Sequence, residues 1–276
     1  MAPSPRARLT RALLVATSLA AVAAACGGDS GSTTATTAPA ATIITTATPS
    51  TTASVTAPVD LARLDELWSA SPDRAVSCLL VTDGADVVFE RNADVAVVPA
   101  SVMKVVVASA ALRAIEGAAV EEQVRAMLRE SDNDAARAVG AEVGLGRVAA
   151  VLADAGHPVT GLVVRDATGH DRGNRVTCRL VAALLAGGDT VIAASLPVAG
   201  ESGTLAHRLQ GTDAAGRVRA KTGSIRGVTA LAGHADTPAG LLTFAHVLNG
   251  VASREQGEAL HDRLALALVE GSRGPG

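Results

Sequence analysis

Only three large aromatic side chains, Trp68, Phe89 and Phe244, are available to a hydrophobic core in this chain of 276 residues. Large aromatics normally dominate interior burial, so the interior here must be filled by Val, Leu and Ala. With 48% hydrophobic residues, that is enough for one core of about 200 residues, and the length allows one or two domains. The same scarcity excludes an aromatic platform for stacking bases. A net charge of −3 with no Lys/Arg run argues against a nucleic-acid protein. Three cysteines are too few for a disulfide scaffold.

The N-terminus reads as a targeting segment, residues 1–25. Arg6, Arg8 and Arg11 form a positive region, and residues 12–25 are small and apolar but too short to span a bilayer. The run Ala23-Ala24-Ala25-Cys26 resembles a lipobox. On that reading Cys26 becomes a lipidated first residue, anchored to the outer face of the bacterial cytoplasmic membrane. The alternative is cleavage at Ala-x-Ala and a secreted product. Residues 26–58 carry one charge, Asp29, in a Thr/Ala/Ser/Pro-rich run that cannot offset its own ordering entropy. They are expected to be a disordered tether, and residues 59–276 the folded domain.

Within that domain, the spacing of Leu61, Leu64, Leu67 and Trp68 predicts a helix over 59–70 with these residues on one face. Runs 75–82 and 86–91 around Asp83-Gly84-Ala85 predict a hairpin. Helices are expected over 101–116, 119–129, 134–143, 146–155, 177–187 and 253–270, and strands over 216–223, 227–235 and 241–248. Strands at both ends and helices between imply an α+β class, with one antiparallel sheet built from the N- and C-terminal segments beside a helical subdomain.

Of 24 basic residues only two are lysines, Lys104 and Lys221. In a chain this biased to arginine, a surviving lysine marks a position where arginine would not serve. Lys104 follows Ser101 by three residues, so the two share a helical face. Its neighbours Val105, Val106 and Val107 are apolar, which lowers an ammonium pKa and lets it accept the serine proton. Ser131-Asp132-Asn133 stands at a break between helical patterns. There Ser131 is a candidate proton donor to a leaving group and Asn133 a candidate for orienting a substrate amide, while Asp132 serves the local backbone. Lys221-Thr222-Gly223 lies on an expected strand that an extended peptide can join. Lys221 and Thr222 would hold a substrate carboxylate, and Gly223 would leave room for the substrate backbone. The amides of Ser224 and Ser101 are candidates for an oxyanion hole.

The three clusters occur in the order Ser-x-x-Lys, Ser-Asp-Asn, Lys-Thr-Gly. That order resembles the penicillin-binding proteins and serine β-lactamases. Residues 198–223, Asn174-Arg175-Val176-Thr177, Gly227-Val228, Asn249-Gly250 and Pro99-Ala100-Ser101 are similar to the D-alanyl-D-alanine carboxypeptidase/endopeptidase family. The resemblance implies a serine DD-peptidase fold. It also implies an acyl-enzyme on Ser101, peptidoglycan stem peptides as substrates and β-lactams as covalent inhibitors. It implies no cofactor and no metal, and His157, His170, His207, His234, His246 and His261 show no metal-ligand spacing. The alternatives are a β-lactamase and a catalytically degenerate lipoprotein that binds the cell wall. No glutamate stands in a loop suited to fast deacylation, so slow turnover of penicillin is expected.

The chain departs from that family in three places. Only residues 105–130 separate the first two clusters, where the family carries a long insertion. A family Asp-Gly-Ser-Gly-Leu-Ser stretch reads Asp166-Ala167-Thr168-Gly169-His170-Asp171, and His170-Asp171 either lines the cleft or forms a surface loop. Cys178 replaces a usual proline, and Cys78 and Cys178 either pair or remain buried thiols. Gly200-Glu201-Ser202-Gly203 lacks the last glycine of a hydrolase elbow, since Thr204 stands there, so Ser202 is expected to cap a helix.

Overall fold

A computed structural model describes residues 59–271. The expected signal segment 1–25, Cys26 and the tether to residue 58 lie outside the described residues.

Helix α1 (Leu61–Ser69) starts where the Asp60 side chain accepts from the Arg63 amide at 3.1 Å. It buries Leu64, Leu67 and Trp68, whereas Leu61, expected on the same face, is 42% exposed. The hairpin forms as β1 (Cys78–Asp83) and β2 (Asp86–Arg91). Ala75 and Val76, expected to open the first strand, belong instead to a single 3-10 turn, Arg74–Val76. That turn is fixed by Asp73, whose carboxylate accepts from the Ala75 amide at 3.2 Å.

The middle of the chain is helical: α2 (Met103–Ala114), α3 (Ala118–Arg129), α4 (Asn133–Val143), α5 (Val148–Asp154), α6 (Cys178–Ala186) and α7 (Thr190–Ser195). The six-residue α7 was not legible in the apolar periodicity. Asp189 caps it by accepting from the amides of Val191 and Ile192. Three strands follow, β3 (Val218–Ile225), β4 (Val228–Thr237) and β5 (Gly240–Asn249), and α8 (Arg254–Glu270) closes the fold. The five strands form one antiparallel sheet in the order β2-β1-β5-β4-β3. This is the expected α+β layout, with strands from both ends meeting at β1 and β5.

Alternation along the strands sorts two cores. Leu79, Val81, Leu231, Leu242 and Phe244 pack with Leu64, Trp68, Leu264 and Leu268 of α1 and α8. Cys78, Leu80, Ala230, Ala232, Ala245 and Val247 pack with the helices of the middle segment. Helix α2 is buried from Met103 to Ala111, the pattern of a helix packed on all sides. Cys78 and Cys178 form a disulfide that ties β1 to the first residue of α6, with Cα atoms 5.9 Å apart.

One polar seam runs under the sheet. His246 Nδ1 on β5 lies 3.0 Å from His261 Nδ1 on α8, and His261 Nε2 lies 3.1 Å from Thr229 Oγ1 on β4. His246 Nε2 has no hydrogen-bond partner among the described residues. Burial holds both imidazoles far below their ordinary pKa, His246 at about 3. The folded state therefore keeps both neutral where the unfolded chain takes up protons. Their contribution is complete above pH ~6.5 and is lost as pH falls from there toward 3. Urea midpoints should drop between pH 7 and pH 5, and His261→Gln should flatten that slope. An unchanged slope in the variant would assign the acid sensitivity elsewhere.

Candidate active site

Ser101 sits in a single 3-10 turn, Ala100–Val102, that leads into α2. Two contacts fix this turn. The Asn249 side-chain Nδ2, at the end of β5, donates to the Val98 carbonyl at 3.1 Å. Gly169, at φ +87°, lies against the turn so closely that a Cβ there would stand 1.9 Å from the Ala100 carbonyl oxygen. Ala100 itself adopts φ +48°, a left-handed conformation that costs a residue with a Cβ roughly 1–2 kcal/mol. The strain is borne by the residue immediately before the candidate nucleophile, as at many functional sites.

Lys104 is fully buried one turn further on. Its Nζ contacts Ser101 Oγ at 3.0 Å, Asn133 Oδ1 at 2.9 Å and the Thr168 carbonyl at 2.8 Å. These acceptors match the three protons of an ammonium, and loss of one proton leaves a lone pair for the Ser101 hydroxyl. Burial pushes the ammonium down, Asp166 and Asp132 pull it partly back, and Arg137 opposes them, leaving a pKa of about 8.

Ser131, at φ +56°, follows the C-terminal end of α3. Its Oγ accepts from Lys221 Nζ at 2.9 Å. Of the two lysines, only Lys221 bonds to Ser131. Lys104 spends its contacts on Ser101, Asn133 and Thr168, so Ser131 belongs to Lys221. Asp132 serves the backbone as read, capping α4 through the amides of Asp134 and Ala135. Lys221 is also fully buried and donates to the Thr222 carbonyl at 2.7 Å. Burial, and then the like charge of Lys104, hold it well below the ordinary lysine pKa.

The geometry of β3 explains the rest. The Asp236 amide donates to the Arg217 carbonyl, so odd-numbered residues bond to β4. The Ala220 amide donates outward to Pro197, so even-numbered residues face the open edge. The N–H groups of Thr222 and Ser224 therefore point away from the sheet. At Gly223 a Cβ would lie 3.1 Å from the Ser101 amide nitrogen and 3.1 Å from the Pro99 carbonyl oxygen. The missing side chain thus admits the nucleophile turn against the strand, a more direct reason for glycine than room for a substrate backbone. The same contact brings the Ser101 amide beside the open edge at Ser224.

Sequence reasoning missed Thr168. Its carbonyl accepts from Lys104 and, at 3.4 Å, from Ser101 Oγ. A backbone carbonyl has no signature in sequence, and the surrounding stretch had registered only as a departure. Asn174 shapes that stretch, accepting from the Arg165 amide at 2.7 Å and donating to Asp166. Burial raises the Asp166 carboxyl, but hydrogen bonds from Thr168, Asn174 and the amides of Gly169 and Asp171 outweigh it and hold it low. His170 lines a cleft with Arg172, Ile225 and Arg226 beyond Ser224, while Asp171 folds back onto the Gly173 amide. Ser202 does not cap a helix with its side chain. Its hydroxyl accepts from the Val198 amide at 3.1 Å and closes the 198–202 loop.

Known proteins resemble this chain in sequence and in fold. Residues 116–270 match the model of the D-Ala-D-Ala carboxypeptidase 3 (S13) family. That span takes in Ser131, Asn133 and Lys221 and begins after Ser101 and Lys104. A D-alanyl-D-alanine carboxypeptidase of Actinomadura sp. (strain R39) is 42% identical over 139 residues, covering 47% of this chain and 26% of the relative. Carboxypeptidase DacB of Mycolicibacterium smegmatis is 34% identical over 178 residues, covering 56% of this chain and 38% of the relative. The chain thus spans well under half the length of either protein. The fold resembles that of a β-lactamase from Sphaerobacter thermophilus, with a TM-score of 0.60, 22% identity, and coverage of 76% of this chain and 96% of that one. On the strength of the family match over more than half its residues, the chain belongs to the D-Ala-D-Ala carboxypeptidase 3 (S13) family.

Proposed function

We propose that this chain is a serine D-Ala-D-Ala carboxypeptidase or endopeptidase that acts on peptidoglycan stem peptides and is acylated by β-lactams. The observation that carries the reading is the buried contact of Lys104 Nζ with Ser101 Oγ at 3.0 Å, beside a lysine-bound Ser131. Neutral Lys104 takes the Ser101 proton as Oγ attacks the carbonyl of the penultimate D-Ala. The amides of Ser101 and Ser224 receive the oxyanion. Asn133, with Oδ1 engaged by Lys104, offers its NH2 to a substrate carbonyl. Ser131, bonded to Lys221, gives a proton to the leaving amine as the C–N bond breaks. The proton taken up by Lys104 is released to solvent, from which the Ser131–Lys221 pair is reprotonated. Water then hydrolyses the ester to free Ser101.

The N-terminal reading extends the proposal to location. A lipid at Cys26 and a tether to residue 58 would hold the domain beside the cell wall. The Cys78–Cys178 disulfide fits an oxidising, extracytoplasmic compartment.

The test is purified protein with a peptide ending in D-Ala-D-Ala and with a cross-linked muropeptide. Release of D-Ala or cutting of the cross-link is expected. Folded protein that does neither would overturn the reading. The penicilloyl adduct should also persist. The carboxylate acting most strongly on Lys104, that of Asp166, is held by its own loop and is not free to activate a water. Intact-mass spectra taken over hours after excess penicillin is removed should show the adduct on most molecules. Rapid multiple turnover would favour a β-lactamase.

A further inference from the structure

The open edge of β3 is not open along its whole length. Val198 bridges Arg219, the Ala199 amide donates to the Val218 carbonyl at 2.9 Å, and the Ala220 amide donates to the Pro197 carbonyl at 2.9 Å. The segment 197–199 therefore occupies the outward groups of Val218 and Ala220, and the free edge begins at Thr222. Beyond it the chain turns back through Gly203, at φ +53°, where a Cβ would stand 2.4 Å from the Arg129 carbonyl oxygen. That contact seats the turn Gly203–Leu205 on the end of α3, two residues before Ser131. Thr204, carried on this turn, places its Oγ1 2.7 Å from Thr222 Oγ1, and both residues are half-buried.

A peptide joining this edge antiparallel to β3 runs with its C-terminus toward Thr222. Its scissile carbonyl lies at Ser101 and Ser224, so the residue beyond that bond meets the two threonines. A pair of bonded hydroxyls has two protons, one of which lies between the oxygens. When Thr204 donates to Thr222, the Thr222 proton is released to donate outward.

From this we infer that Thr204 is a positioning residue, which turns Thr222 into a committed donor to the free carboxylate of the leaving residue. The inference rests on the peptidase reading above and deepens it. The preferred substrates are those with an ionised carboxylate one residue past the cleaved bond. Thr204 itself need not touch the substrate.

The experiment compares wild type, Thr204→Val and Thr204→Ser on two peptides, one ending in D-Ala-D-Ala and the other in the same sequence capped as a carboxamide. A hydrogen bond to a charged group is among the stronger ones. Thr204→Val should therefore lower kcat/KM on the free acid by about tenfold to hundredfold. It should change the carboxamide less than about twofold, while Thr204→Ser stays within about threefold of wild type on both. Acylation by penicillin, which also carries a carboxylate, should fall in Thr204→Val in parallel with the free acid. Equal loss on acid and carboxamide, or no loss on either, would overturn the inference while leaving the peptidase reading intact. A folded wild type that turns over neither peptide and forms no penicilloyl adduct would overturn both. If Thr204→Val fails to fold, Thr204→Ala gives the same comparison, since it also lacks the hydroxyl.

Discussion

Replacement of Lys104 by methionine should lower acylation of Ser101 by roughly 10²–10⁴-fold, the usual contribution of a positioned general base. Arginine should be no better, because its guanidinium stays protonated and has no lone pair to offer. The pH dependence distinguishes a base from a structural lysine. With Lys104 at a pKa of about 8, the neutral form is the minor species at neutral pH. Acylation should therefore rise about tenfold per pH unit up to about 8 and then level off. Arg137 lies largely in solvent and depresses Lys104 by like charge. Arg137→Gln should consequently move the rising limb to higher pH without changing the plateau. Stopped-flow acylation by a chromogenic β-lactam across pH 6–10 reads both. A flat profile in wild type, or full activity in Lys104→Arg, would remove Lys104 from the role of base.

Removal of the disulfide should have the largest effect on stability. Cys78 and Cys178 are 100 residues apart in sequence, and in the chain-entropy model a cross-link closing such a loop contributes about 4.7 kcal/mol. The double variant Cys78→Ala, Cys178→Ala should lose roughly 3–5 kcal/mol and about 10 °C or more of Tm. The bond holds α6 on β1, and the strand-like bridge of Val176 to Val97 leads straight into α6. That bridge aligns the stretch from Asp166 to Asn174 with the approach to Ser101. Denaturant titration of the oxidised protein against the double variant measures the difference. A loss below about 1 kcal/mol would mean the reduced chain already holds this geometry.

The strands and long helices were legible because alternation and helical spacing survive in a core built of Val, Leu and Ala. Turn signals such as Asp83-Gly84 marked their ends. Helix α7 was hidden because six residues make too few turns to show a period. Leu61 shares the helical spacing of Leu64, Leu67 and Trp68 yet is 42% exposed, because spacing alone does not show where the packed face ends. In the site, Lys104 and Lys221 stood out because arginine had taken nearly every other basic position. Their burial, the contacts of Ser131 and the outward amides of β3 depend on packing between segments far apart in sequence. Thr168 contributes through its backbone and left no local trace; Asn249-Gly250 carried a resemblance, but the bond of Asn249 to the Val98 carbonyl joins distant segments and was not legible from it. Gly223 reads from sequence as leaving room for a substrate backbone, whereas the neighbour that needs the room is the protein's own nucleophile turn.

The scarcity of aromatics leaves the molecule with one natural optical probe. Trp68 is the sole tryptophan, no tyrosine is present, and the indole is buried in the layer formed by α1 and α8. The cleft lies across the sheet from that layer. Intrinsic emission should therefore stay nearly constant while Ser101 is acylated and change sharply when α1 leaves the sheet. One sample can then report chemistry through the adduct and loss of structure through its own light, with little interference between the two signals.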